Sequence, residues 1–256
     1  MLNKQHIQLL YYLSIKELKE KYKQSSLGMI WMLVVPFVTM STFYIIFSFF
    51  FPIAIEQYPL YLISGLIPWF FISFSVQHGV YVMANNGNLI KKIAFPRFLL
   101  PLSITCSNAI TYLISMLILI IAAYALNYPI MLKKIVFLPV LFLLTTLFCA
   151  SLAMILGYLY VFYRDLGPIS ELFIFILFYA TPIFYNLDMI AKELHPFIYL
   201  NPVAVFIDLH HSVFLNAYAI SPLKLCIVLF WTVLFLYLAK LVYTHKNPII
   251  ADYSKS

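Results

Sequence analysis

Polar residues are sparse along this chain, and where they gather they divide it into long apolar runs. Six runs approach or exceed the roughly 20 apolar residues that a helix needs to cross a bilayer: 29–51, 61–83, 98–126, 135–162, 168–185 and 222–244. Each is predicted to be helical, because lipid offers no partner to a free backbone amide or carbonyl. The fifth is short and ends at TPIFY, which predicts a break or a tilt. Ahead of the first run, IQLLYYLSIKELKEKYKQSS has the helical period. Ile7, Leu10, Tyr11, Ile15, Leu18 and Tyr22 share one face, Lys16, Lys19, Glu20 and Lys23 the other, and Glu17 and Lys21 are spaced as an i,i+4 pair. This predicts a helix lying flat on the membrane, lysines toward lipid phosphates. It is either a passive anchor or a lever joined to the first span through SSLG, with Gly28 as the joint.

The segments between spans carry the remaining information. NLIKKIAFPRFLLP lies between spans two and three, within 84–101. NLIKKIAF has room for two helical turns, Pro96 disfavours helix at Phe95, and Pro101 permits a new start. One reading is a basic loop that fixes orientation. The other is a docking surface, since Leu89, Ile90, Ile93 and Phe95 are too apolar for a merely solvated loop. YRDLGPI follows span four, where Arg164 and Asp165 are expected to pair and close a tight turn, with Glu171 one turn into span five. The 186–221 segment is long for a plain loop. Pro196, Pro202 and Pro222 interrupt it, yet VAVFIDLHHSVF is apolar enough to dip into the membrane. Two short re-entrant or interfacial helices are predicted there. His210 and His211 are adjacent and point apart on a helix, which argues against a metal site.

The expected fold is therefore all-α and integral to the membrane. It has six transmembrane helices, an N-terminal amphipathic interface helix, and re-entrant outer helices between spans five and six. It is read as one transmembrane domain over 1–256: interface helix 1–28, spans one and two in 29–83, the basic segment 84–101, spans three to five in 98–185, outer helices 186–221, span six 222–244 and a tail 245–256.

Composition agrees. The chain is 64% hydrophobic and only 10% charged, with a mean hydropathy of +0.96, whereas soluble domains carry about 25% charged residues. Twelve of its 16 lysines and arginines fall on one side of the predicted bundle, leaving Lys133, Lys134, Lys192 and Lys224 on the other. This bias predicts a multi-pass protein with both termini in the cytoplasm. It also accounts for the net charge of +7 through topology and anionic membrane lipids, with no need for nucleic acid. Cys106, Cys149 and Cys226 lie in apolar runs and read as small core residues. No cleavable signal peptide is evident.

Candidate chemistry is thin. There is no H-E-x-x-H, G-x-S-x-G or acidic pair within a span, and no G-x-x-x-x-G-K-[ST] phosphate loop. Too few ionisable groups lie within spans for a typical ion-coupled pump. This leaves a passive channel or carrier, or one part of a machine powered by another subunit. A membrane-embedded enzyme lacks a catalytic constellation. Phe37, Ser41, Tyr44 and Ser48 form one stripe on span one. It reads either as helix packing or as a lining suited to a sugar chain, whose faces stack on rings and whose edges hydrogen-bond.

KYKQSSLGMIWMLVVP, NLIKKIAFPRFLLPLS, YRDLGPI followed by TPIFY, and LNPVAVFID occur in this order over nearly the whole chain. Together they resemble the ABC-2 type polysaccharide export permeases, the membrane subunits of O-antigen transporters, with teichoic acid and capsule permeases as close relatives. The resemblance implies a homodimer in the cell's inner membrane, working with two copies of a cytoplasmic ABC ATPase that binds ATP and Mg. No cofactor is expected on this chain itself. The implied cargo is an undecaprenyl-diphosphate-linked polysaccharide, with a different lipid-like cargo as the alternative. It makes the N-terminal helix a gate helix, with Tyr11, Lys16, Lys19, Lys21, Tyr22 and Lys23 near the lipid head group. It makes Leu89, Ile90, Lys91, Lys92, Phe95, Pro96 and Arg97 the ATPase-coupling residues, and Arg164 and Asp165 a cytoplasmic turn. Asn201, Pro202, Phe206 and Asp208 fall in an outer gate, and Phe37, Ser41, Tyr44 and Ser48 in the channel lining.

Overall fold

The structure, a computed structural model, describes residues 3–23, 25–49, 55–92, 95–129, 131–248 and 250, without the side chains of Tyr22, Met29, Met32 and Leu132. The described residues are helical, with no strand among them. Helix α1 (Lys4–Tyr22) starts at Asn3, whose Oδ1 accepts the Lys4 N–H at 2.7 Å while His6 Nδ1 accepts the Asn3 N–H at 3.3 Å. These bonds satisfy amides that the first turn leaves free. Gly28 then adopts φ +53°, a left-handed conformation that a side chain disfavours, and a 3-10 turn leads into α2 (Trp31–Phe49). Next come α3 (Tyr58–Asn85), the short α4 (Gly87–Lys92) and α5 (Leu99–Ala125). After α6 (Leu132–Ile135), α7 (Leu138–Tyr160) and α8 (Leu166–Tyr179), two 3-10 turns precede α9 (His195–Leu200) and α10 (Pro202–Phe214). Helix α11 (Pro222–Lys246) completes the bundle.

Four of these segments are long and apolar enough to cross a membrane: Tyr58–Asn85, Leu99–Ala125, Lys133–Tyr160 and Pro222–Lys246. A fifth arises if α9 and α10, bent by 106°, count as one broken span. α2 and α8 are apolar but shorter, and α8 stops before TPIFY, as that sequence predicts. The protein is thus a multi-pass membrane protein.

Helix α3 is the axis of the fold and is buried along most of its length, packed against α5, α7, α10, α2 and α8. Small residues allow its closest approach. A Cβ added at Gly79 would lie 2.5 Å from the Ala153 Cβ on α7, and one at Gly157 would lie 2.7 Å from the Gly79 carbonyl oxygen. In lipid, such small–small contacts replace hydrophobic expulsion as the packing force, because they let backbones touch. A second, smaller core closes the end of the bundle that holds both terminal regions. It gathers Leu13, Met83, Ile90, Leu99, Leu100, Tyr158 and Ile250.

Candidate functional site

Three surfaces of the bundle bear the residue types singled out above. The first is α1. Its buried face is Leu13 and Ser14, continued by half-buried Glu17 and Lys21, and it rests on α5. This corrects the predicted face: Ile7 and Tyr11 are exposed, and Ile15 and Leu18 are half-buried. It also corrects the predicted Glu17–Lys21 pair. The ion pair on α1 is Lys16 with Glu20 at 3.6 Å, while the Lys21 ammonium reaches under the helix and donates to Asn108 Oδ1 on α5. Asn108 in turn donates to Ser75 Oγ on α3 at 3.2 Å. Lys19 and Lys23 stay exposed, and the Tyr22 side chain lies outside the described residues. Burial pulls Lys21 down to about 8, partly opposed by Glu17, whose own carboxyl is raised by burial.

The second surface is the segment around α4. Lys91 and Lys92 project from its last turn and are exposed, and Leu89 is half-buried. Ile90 is 7% exposed and faces the smaller core, where Phe95 packs at the margin. Arg97 donates through Nη1 to the Asn247 carbonyl oxygen at 2.6 Å. Ile90 and Arg97, both expected as outward contacts, thus brace the segment from within. Pro96 is half-buried, and Ile93 lies outside the described residues. Beside this segment, Arg164 does not pair with Asp165. Its guanidinium sits 5.2 Å from the centre of the Tyr160 ring, a cation–π contact, while Asp165 is exposed. Glu171 accepts a hydrogen bond from the Tyr81 hydroxyl at 2.7 Å.

The third surface runs along α2, α3 and α8. The α2 stripe faces away from the bundle: Phe37 is 62% exposed, Ser48 is exposed, Ser41 is half-buried, and the Tyr44 ring lies 6.4 Å from that of Tyr58. Nearby, α3 and α8 enclose a groove of about 260 Å³ that the sequence reading missed. Phe70, Phe74 and Gln77 line it from α3, and Glu171, Phe175 and Phe178 from α8. Each triplet sits at helical spacing on one face of its own helix, but only the packing of α8 on α3 brings the two faces together.

At the opposite end of the bundle, α10 is buried from Val203 to Phe214 while α9 has no buried residue. Asn201 forms the corner: its Oδ1 accepts the Val203 N–H at 3.0 Å, its Nδ2 donates to Thr181 Oγ1 at 3.1 Å, and Pro202 begins α10. Phe206 is wholly enclosed, and Asp208 is ion-paired with Lys224 of α11 at 2.5 Å. His210 and His211 point apart, as adjacency on a helix requires. His210 Nε2 lies 2.5 Å from the Tyr112 hydroxyl, and His211 Nδ1 lies 3.0 Å from Ser64 Oγ with its ring stacked on Tyr61. Asp208, His210 and His211 thus tie α10 to three different helices, α11, α5 and α3, while the Ser212 hydroxyl donates to the Asp208 carbonyl oxygen within α10. Among the described residues, no three His, Cys, Asp or Glu side chains converge as metal ligands would.

The arrangement has a basic end with a braced surface segment, an exposed stripe of rings and hydroxyls on α2, and a pinned helix at the far end. A family model described as ABC-2 type transporter matches residues 8–215. A protein of Klebsiella pneumoniae named O-antigen export system permease protein RfbA is 30% identical over 208 residues, covering 81% of this chain and 80% of that protein. A protein of the same name from Myxococcus xanthus is 29% identical over 209 residues, covering 80% of each.

Proposed function

The chain belongs to the ABC-2 type transporter family, as the membrane subunit of an ABC exporter, and from that premise we propose that it exports a lipid-linked polysaccharide of the O-antigen type. In this reading two copies form the conduit in the inner membrane with both termini in the cytoplasm, six helices per copy cross the bilayer, and α9 and α10 form a re-entrant outer gate. A separate ATPase docks below and consumes ATP and Mg. The relatives' printed name supports the cargo.

The observation that carries the reading is the groove between α3 and α8. Phe70, Phe74, Phe175 and Phe178 offer ring faces, and Gln77 and Glu171 offer polar groups. A sugar chain presents apolar faces and hydroxyl edges, which is the complement of that lining. Exposed Phe37 and Tyr44 on α2 extend the same chemistry. Ile169, Leu172, Phe173 and Ile176 leave much of α8 apolar and uncovered, as a helix facing lipid or a second copy is.

Lys91 and Lys92 are the exposed charges of the braced segment and the proposed contact with the ATPase. The test is reconstitution of the chain with its ATPase in vesicles holding a lipid-linked glycan. ATP-dependent appearance of glycan on the far side is the expected result. Glycan movement by the chain alone, without ATPase or nucleotide, would overturn the reading.

A further inference from the structure

Near the middle of α5, one helical turn holds side chains from both ends of the bundle. Asn108 Oδ1 accepts a hydrogen bond from the Lys21 ammonium of α1, and Asn108 Nδ2 donates to Ser75 Oγ on α3 at 3.2 Å. One turn further along, the Tyr112 hydroxyl lies 2.5 Å from His210 Nε2 of α10. Residues four apart share a helix face, and the rise between them is about 6 Å at roughly 1.5 Å per residue. Helix α1, at the end that holds both terminal regions, and α10, from the opposite end, are thus anchored one turn apart on the same helix.

The partners on α3 repeat the spacing. Ser75 meets Asn108, and Phe71, four residues earlier, stacks on the Tyr112 ring with centroids 4.7 Å apart and planes 2° from parallel. Phe142 of α7 stacks on the same ring at 5.5 Å. Asn108 and Tyr112 are each buried, and Ser75 and His210 are wholly enclosed. Polar groups so placed are costly to leave unpaired.

The proton positions follow from the partners. His210 Nδ1 lies 2.6 Å from the Phe206 carbonyl oxygen, which can only accept, so Nδ1 carries the proton. Nε2 of the neutral ring is then an acceptor, and the Tyr112 hydroxyl is its donor. Helix α10 packs on α3, α11 and α7, and the Tyr112 bond is its polar tie to α5.

We propose that Asn108 and Tyr112 are positioning residues that make one turn of α5 a joint between α1 and α10, so that neither helix is displaced without loosening the other. When α1 lifts, Asn108 Oδ1 loses its donor in a buried place. The turn can adjust only by carrying Tyr112 with it, which withdraws the donor from His210. The reverse holds when α10 moves first, because coupling between two sites is reciprocal. The meaning of the joint as a link between inner and outer gates rests on the exporter reading, whereas the linkage is a property of this chain alone.

The test is hydrogen exchange on the chain with its ATPase in nanodiscs, without nucleotide, read separately over residues 4–22, 202–214 and 222–246. Tyr112→Phe keeps both ring stacks and removes only the hydroxyl. It should speed exchange about threefold or more over 202–214 and also over 4–22. Lys21→Met should likewise act on both segments. Neither change should alter exchange over 222–246. The two together should give less than the product of the single effects, since either one already opens the joint. Ser64→Ala, which removes the α3 partner of His211, should loosen 202–214 and leave 4–22 as it was. The proposal is overturned if Tyr112→Phe leaves 4–22 unchanged, or if Ser64→Ala speeds exchange there equally. No transport enters these rates, so a complex that shows the linkage yet moves no lipid-linked glycan would uphold the joint while refuting the exporter reading.

Discussion

The Arg97 guanidinium and the Asn247 carbonyl oxygen are 2.6 Å apart, so the strand of chain after α4 is tied to the end of α11, 150 residues away. Ile90, Leu13, Tyr158 and Ile250 share the buried cluster beside that bond. A load applied to α4 therefore reaches α1, α7 and α11 through one small core. Ile90→Ala should leave Lys91 and Lys92 exposed and ATPase pull-down intact. It should loosen this core by roughly 2–5 kcal/mol and reduce glycan export per ATP hydrolysed. Equal loss of pull-down and export would refute this division of roles.

The complementary change acts on the outside. Lys91→Glu with Lys92→Glu reverses two exposed charges that make no ion pair among the described residues, so folding and membrane insertion should be unaffected. Rim charges steer association. The variant should capture its ATPase more slowly and lose export in proportion, and the wild-type rate should itself fall as salt rises.

How much of this was legible in the sequence follows from what each signal depends on. Span positions were legible because hydrocarbon imposes a length, and α3, α5, α7 and α11 fall close to the runs at 61–83, 98–126, 135–162 and 222–244. The corner at Asn201 and the left-handed turn at Gly28 were legible because proline and glycine restrict or permit backbone locally. Side-chain partners were not. The i,i+4 rule offered Glu17 to Lys21, but Asn108, 87 residues on, wins because α1 lies on α5 with that face down. Arg164 likewise had a carboxylate beside it in sequence and a tyrosine ring beside it in space. The groove of Phe70, Phe74, Phe175 and Phe178 needed two helices to be brought together, which no single-helix period encodes.

Gly79 sets the spacing of α3 and α7. An added Cβ would come 2.5 Å from the Ala153 Cβ and 2.8 Å from its Cα, and backbone cannot swing aside as a flexible side chain can. Gly79→Ala should cost about 1–3 kcal/mol, read as a lower temperature of irreversible inactivation in detergent. Gly79→Ala combined with Ala153→Gly removes the nearer clash and should recover part of the loss. No recovery would mean that the helices meet elsewhere.

The Asp208–Lys224 pair holds α10 to α11 at 2.5 Å in a nearly enclosed place. Removing one partner of such a pair strands a charge, at a cost of roughly 3–5 kcal/mol. Lys224→Met should therefore be worse than Asp208→Leu with Lys224→Met, in which neither charge remains. The comparison is made by thermal inactivation and by cysteine crosslinking between α10 and α11. If the double variant is as damaged as the single one, the pair has a role beyond pinning α10.

The final prediction concerns pH. Burial lowers Lys21 from its ordinary value to about 8, and Glu17 restores only part of the difference. When α1 is undocked, Lys21 meets water and recovers a value of about 10.4. Between these two values the undocked state binds more protons than the docked one, so docking becomes more favourable as pH rises. The full contribution is present above the undocked value and is lost as pH falls through about 8. Hydrogen exchange over residues 4–22 should accordingly slow as pH is raised from 7.5 to 9.5, after correction for the intrinsic pH dependence of exchange. Lys21→Met, which carries no proton to lose, should show no such trend. If the trend survives in Lys21→Met, another group carries the pH dependence and the burial of Lys21 does not.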